Sequence, residues 1–153
     1  MITNLVHGTQ EVEGEFRFEL FDTVAAVIIY DDTPLEYAER CVAYLNSLNT
    51  EVVAALDAAC LRYCNDFLTM TGQSPRTLER PADIRHFMRP GGLIIEEPED
   101  LNEPIIHLEM ECDWDIEHGV EIIIRADKVL YVGGFNGLCP WSSFDQNLSY
   151  NFA

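Results

Sequence analysis

The run Ile105-Ile106-His107-Leu108-Glu109-Met110-Glu111-Cys112-Asp113-Trp114-Asp115 carries the clearest periodicity in the chain. Ile106, Leu108, Met110, Cys112 and Trp114 alternate with His107, Glu109, Glu111, Asp113 and Asp115. A period of two marks a strand with one apolar face, and that face must lie on a second layer. Val120–Arg125 and Lys128–Val132 follow as further strands across a short Ala126-Asp127 turn, so the C-terminal half predicts a meander.

Working outward from that meander, Phe16, Phe18 and Leu20 alternate with Arg17 and Glu19, and Val24–Tyr30 is a continuous β-branched run. With Asp22-Thr23 between them they predict a hairpin, and residues 2–6 an added edge strand. Thr33-Pro34-Leu35-Glu36 has the form of a capping box ahead of Leu35, Ala38, Val42, Leu45 and Leu48 at helical spacing. A second helix, capped by Asn49 or Thr50, carries Val52, Leu56, Ala59, Tyr63, Phe67 and Met70 and stops at Gly72. Residues 74–92, broken by Pro75, Pro81, Pro90 and Gly91-Gly92, read as a connection with a short helix near 82–87. The expected fold is α+β, a single domain over 1–153 of order β-β-α-α-β-β-β. It has an antiparallel sheet of about five to six strands with two long helices packed on one face. The aromatic-rich tail, with Phe135, Trp141, Phe144, Tyr150 and Phe152, should fold back on the domain.

The chain has 153 residues, enough to bury a core without staples. Its five cysteines, Cys41, Cys60, Cys64, Cys112 and Cys139, show no close disulfide framework, and core burial is the expectation for Cys60 and Cys64. No stretch reaches the roughly 18 apolar residues of a bilayer span, and the start lacks a signal-peptide pattern. The expected compartment is the cytoplasm.

Charge is the strongest compositional signal. Twenty-seven acidic residues face eight arginines and Lys128, for a net charge of −18. That balance disfavours nucleic acid and anionic membranes as partners. Spread evenly, the charges would sit about 20 Å apart, beyond a Debye length of about 8 Å, so only clustering makes them functional. They do cluster: Pro90 to Ile124 holds eleven acidic residues and no lysine or arginine. Adaptation to high salt would instead spread them over the whole chain. Arg76, Arg80, Arg85 and Arg89 stand just before this stretch, and pairing with the domain's own carboxylates is favoured over binding an anionic ligand.

The polar side of the 105–115 strand and its corner supply the candidate site. His107, Glu109, Glu111, Asp113 and Asp115 recur about 6.7 Å apart along the strand. A plain solvated face, a docking strip for a basic partner and a hard-metal site all fit this row, although carboxylates along one strand diverge rather than converge on an ion. Glu117 and His118 sit at the following corner, where Gly119 supplies a turn or bulge, and corner hydrogen bonding is their favoured role. A His-Glu pair can move protons, but no nucleophile elbow, H-E-x-x-H or phosphate loop accompanies it.

The run Cys112-Asp113-Trp114-Asp115-Ile116-Glu117-His118-Gly119, with Val120–Ile124 and Val129-Leu130-Tyr131-Val132-Gly133 after it, resembles a family of small uncharacterised acidic bacterial proteins. Those proteins carry a similar W-D-x-E-H-G hairpin near the C-terminus, and some look like immunity proteins encoded beside polymorphic toxins. The resemblance covers roughly residues 105–135 and implies no catalytic residue; the Ala126-Asp127 turn departs from the Asp-Gly type that the pattern leads one to expect. The leading expectation is therefore a non-enzymatic binding protein, needing no cofactor, that masks a basic protein such as a toxin. Its contacts would be His107, Glu109, Glu111, Asp113, Asp115, Glu117 and His118, with Trp141 or Tyr150, if exposed, as an aromatic anchor. The rival is a divalent-metal-binding protein or metal-dependent enzyme built on His107, Glu109 and His118.

Overall fold

Glu11–Phe18 (β2) and Thr23–Tyr30 (β3) pair antiparallel in unbroken register from Glu11 opposite Tyr30 to Phe18 opposite Thr23. The computed structural model, which describes residues 1–30 and 32–153, closes this hairpin with a 3-10 turn at Glu19–Phe21. Asp22 ends that turn at φ +50°, a left-handed conformation that aspartate tolerates better than most residues. Ile2–His7 (β1) adds the outer edge strand.

Leu35–Asn46 (α1) and Thr50–Met70 (α2) follow. Pro34, not Thr33, is the N-cap of α1, and no side chain caps it. The Asn49 side chain does cap α2, accepting from the Val52 N–H at 2.9 Å. At the other end Gly72 turns left-handed at φ +78°, and the Gln73 N–H reaches back to the Leu68 carbonyl at 2.7 Å.

The connection expected over 74–92 holds a strand. After a 3-10 stretch at Pro81–Phe87, Met88–Ile95 (β4) enters the sheet between β3 and the strand Ile105–Cys112 (β5). It runs parallel to β3, with Ile28 opposite Ile94, and antiparallel to β5. Val120–Arg125 (β6) and Lys128–Gly133 (β7) complete the meander. Among the described residues the sheet therefore has seven strands in chain order and is mixed, where an antiparallel sheet of about five to six was expected. The physical reason is a bulge between Pro90 and Gly92. It accommodates a proline that cannot donate to the ladder and a glycine whose Cβ would stand 3.0 Å from the Glu109 carbonyl. The helical pair is the long crossover that a parallel pairing requires.

Two faces result. Phe16, Phe18, Val27, Leu93, Leu108 and Ile122 point inward and bury against Ala38, Cys41, Leu45, Leu56 and Cys60 of the helices. Opposite the helices, the outer face is covered unevenly. The C-terminal segment lies over β5–β7, with Phe135 stacked on His107 and Phe144 against Tyr131, then rounds the β7 edge. There the Phe152 N–H bonds to the Val132 carbonyl at 2.9 Å and the Phe152 ring meets Tyr63. The tail thus folds back as the sequence suggests. Cys41, Cys60, Cys64 and Cys112 are buried thiols and Cys139 is exposed.

Candidate functional site

Strand parity sends Glu109 and Glu111 outward from β5, and β5 ends at Cys112, three residues before the alternation does. The chain then turns through 113–119 and returns as β6. Gly119 takes φ +66° within this turn, where a Cβ would come 2.3 Å from the Met110 carbonyl oxygen. Only glycine fits that approach. The turn and the β4–β5 ladder together shape a cleft of about 600 Å³, whose lining includes Arg89, Glu109, Glu111, Asp113, Asp115, Glu117 and His118. Six of the eight residues singled out in the sequence therefore share one depression.

Asp115 anchors the corner. It is buried, and its carboxylate accepts from the Tyr63 hydroxyl at 2.7 Å, the His118 backbone N–H at 3.1 Å and His118 Nδ1 at 3.1 Å. Burial pushes its pKa up, but the Tyr63 and His118 hydrogen bonds outweigh it and hold the carboxyl below the ordinary range. Burial and the adjacent Asp115 raise the Tyr63 phenol well above its usual value. His118 is 58% exposed at the cleft, so Asp115 orients an imidazole that water reaches. The cleft's thiol, Cys112, is pushed up to about 11 by burial and hydrogen-bonds the Asp115 carbonyl; at neutral pH it is no thiolate nucleophile. Chemically the corner can orient an imidazole for hydrogen bonding or proton transfer.

The remaining carboxylates are partly engaged. Arg76 grips Asp113 with two bonds of 2.9 and 3.0 Å while its guanidinium stacks 3.9 Å above the Phe87 ring. Arg89 pairs with Glu111 on the outer face. Arg80 binds Asp83, and Arg85 binds the buried Asp57. All four arginines thus meet the domain's own carboxylates, as their position next to the acidic stretch suggests.

The alternating row is not one solvent-facing strip, which corrects that reading for two of its members. Asp115 turns inward at the corner. His107 is 2% exposed beneath Phe135, because the returning C-terminal segment covers its side of the sheet. There His107 Nε2 donates to Glu121 Oε1 at 2.7 Å. Glu121, wholly buried, also accepts the Asn136 and Leu138 N–H groups at 2.8 Å each. His107 is therefore part of a clasp for the tail and lies apart from His118, so the trio His107, Glu109 and His118 does not form one site. Among the described residues no three His, Cys, Asp or Glu side chains are grouped to hold a metal ion. Trp141 is half-buried outside the cleft, with Arg125 5.9 Å from its ring centroid. Glu121 is concealed in the sequence within an apolar strand. Its signal was a lone carboxylate at outward parity among Val120, Ile122, Ile123 and Ile124.

A family model described as a domain of unknown function, DUF6985, matches residues 2–139. The chain belongs to the DUF6985 family. No curated protein and no solved structure matches the DUF6985 chain. Among its described residues no helix is long and apolar enough to cross a membrane.

Proposed function

We propose that this DUF6985 domain is a non-enzymatic binding protein that receives a basic segment of a protein partner in the cleft at the end of β5. In the form that the sequence resemblance suggests, the partner is a toxin that the domain masks. The supporting observation is the lining: five carboxylates, from Glu109, Glu111, Asp113, Asp115 and Glu117, share the cleft with one arginine, Arg89. Asp115 is committed to Tyr63 and His118 and Asp113 to Arg76, which leaves Glu109 and Glu117 without an ion-pair partner among the described residues and Glu111 held only by Arg89. Arg89 is 81% exposed and its Glu111 pair is a surface contact, worth about 0–1 kcal/mol at most, so an incoming lysine or arginine displaces it at little cost. Complementary charge of this kind acts chiefly on the association rate.

The test uses an oligolysine peptide as probe, followed by stopped-flow at low and physiological salt. The triple variant E109Q/E111Q/D113N should slow association by about tenfold or more, and salt should do the same to the unaltered chain. An unchanged rate in the triple variant would remove the cleft as a docking surface.

A further inference from the structure

The C-terminal segment covers the outer side of β5–β7 and leaves the outer side of β1–β4 bare. Register and parity place Val24, Ala26, Ile28 and Tyr30 of β3 on that bare side, beside Ile94 of β4. Val24 is 59% exposed and Tyr30 42%, while Ile28 and Ile94 between them are half-buried. Met70, Leu101, Ile116 and Tyr150 are likewise exposed, but on a helix end, turns and the tail rather than on adjacent paired strands. The apolar stripe is bounded mostly by acid, with Arg17 opposite Val24 and Arg89 at one end of β4 as the basic residues of this face. Glu11, Glu13 and Glu15 stand opposite Tyr30, Ile28 and Ala26 on β2, and Glu109 and Glu111 stand opposite Gly92 and Arg89 on β5. Among the described residues Glu11, Glu13, Glu15 and Glu109 have no basic partner. Glu109 and Glu111 also line the cleft, so stripe and cleft form one continuous surface.

We propose that the bare outer face of β2–β4 is the apolar centre of a protein interface, and that its partner is a protein surface apolar in the middle and basic along both margins. This rests on the cleft reading and extends it from a basic segment to the whole footprint. From β1 to β5 the face spans about 19 Å across and about 27 Å along the strands, roughly 500 Å² in projection. With the cleft beside it, the surface approaches the roughly 800 Å² per partner of a stable complex. A second copy of the chain is disfavoured, because stacking two such faces would oppose two rows of carboxylates in molecules that each carry −18. An anionic membrane is disfavoured on the same ground.

Two synthetic peptides probe the full-length chain. One has a Val-Leu-Val-Leu centre flanked by lysine pairs; its control replaces the centre with serines and keeps the charge. The apolar-centred peptide should bind about tenfold tighter, with amide shifts at Val24, Ala26, Ile28 and Ile94 in NMR spectra. V24K/Y30K alters only exposed side chains and should erase that tenfold difference. D113N/E117Q, in the cleft, should weaken both peptides by the same factor. Equal affinity of the two peptides for the unaltered chain overturns the apolar centre, and so does a preference that survives V24K/Y30K. If D113N/E117Q then still weakens both peptides, the cleft reading stands alone. Conversely, a preference lost in V24K/Y30K with no effect of D113N/E117Q retains the face and rejects the cleft. Sedimentation showing a dimer that V24K/Y30K dissociates replaces the basic partner with a second copy and overturns the proposal.

Discussion

Asp57 sits in the middle of α2, almost wholly buried, and Arg85 meets it with two parallel bonds of 2.7 and 2.6 Å. A carboxylate taken out of water is tolerable only with such a partner. Arg85→Ala should therefore cost about 3–5 kcal/mol in urea unfolding, whereas Asp57→Asn combined with Arg85→Met should cost clearly less, because neither charge is then stranded. Asp115 makes a different prediction, about pH. Its folded pKa lies below the ordinary carboxyl value, so its contribution is present above the unfolded value near 4. That contribution is lost as pH falls through the depressed folded value. Tyr63→Phe removes the shortest of its hydrogen bonds and should raise the midpoint of acid unfolding. An unshifted midpoint, followed by circular dichroism, would mean that the Tyr63 bond contributes nothing to holding Asp115 charged.

The β6–β7 hairpin turns on Ala126 and Asp127, both left-handed at φ +49° and +56°. Two-residue turns of this kind favour asparagine or glycine, and an alanine there is strained by about 1–2 kcal/mol. Ala126→Asn should stabilise the chain by about 1 kcal/mol, which for a chain of this size raises the melting temperature by about 2–4 °C. Asp127 is best kept, since its N–H and carboxylate both engage the Tyr44 hydroxyl. The tail clasp is the other element to test. Glu121→Ala strands His107 Nε2 and the Asn136 and Leu138 N–H groups, at about 1 kcal/mol or more each, so hydrogen exchange should accelerate at 136 and 138 first. Elements of this kind also show what the sequence can disclose. Alternation at 106–112 gives the strand and its inward side, and Asn49 gives the start of α2. Nothing in the alternation tells which outward residues a distant segment will cover, so His107 and Glu109 look alike until Phe135 folds over one of them. The β4 strand is hidden for another reason: Pro90 and Gly91 signal a break locally, and only the bulge opposite Glu109 turns that signal into a strand. Of the candidate site, the acidic cluster is legible and its arginine partners nearly so. The Tyr63–Asp115–His118 arrangement is not, because Tyr63 lies on a helical stripe that reads as core.

At the scale of the whole molecule, two electrostatic effects of opposite sign compete. The arginine–carboxylate pairs stabilise the fold, and salt weakens those that water reaches. The net charge of −18 destabilises it by self-repulsion, and salt relieves that. Over 8410 Å² of surface the excess charges average about 22 Å apart, and a neighbouring pair at that distance repels by about 0.2 kcal/mol in water. At about 10 mM salt the Debye length is about 30 Å and such pairs all count; at about 0.15 M it is about 8 Å and they largely vanish. Exposed pairs such as Arg89–Glu111 are worth about 0–1 kcal/mol each, and the buried Arg85–Asp57 pair is little screened, so repulsion should dominate the response. Raising sodium chloride between those limits should therefore raise the melting temperature by about 5 °C, even as the same salt weakens binding of the oligolysine probe. Opposite responses of stability and binding would identify one field acting in both. A melting temperature that falls with salt would show the internal ion pairs outweighing the excess charge, and the acidic surface would then owe its effect on partners to individual contacts in the cleft.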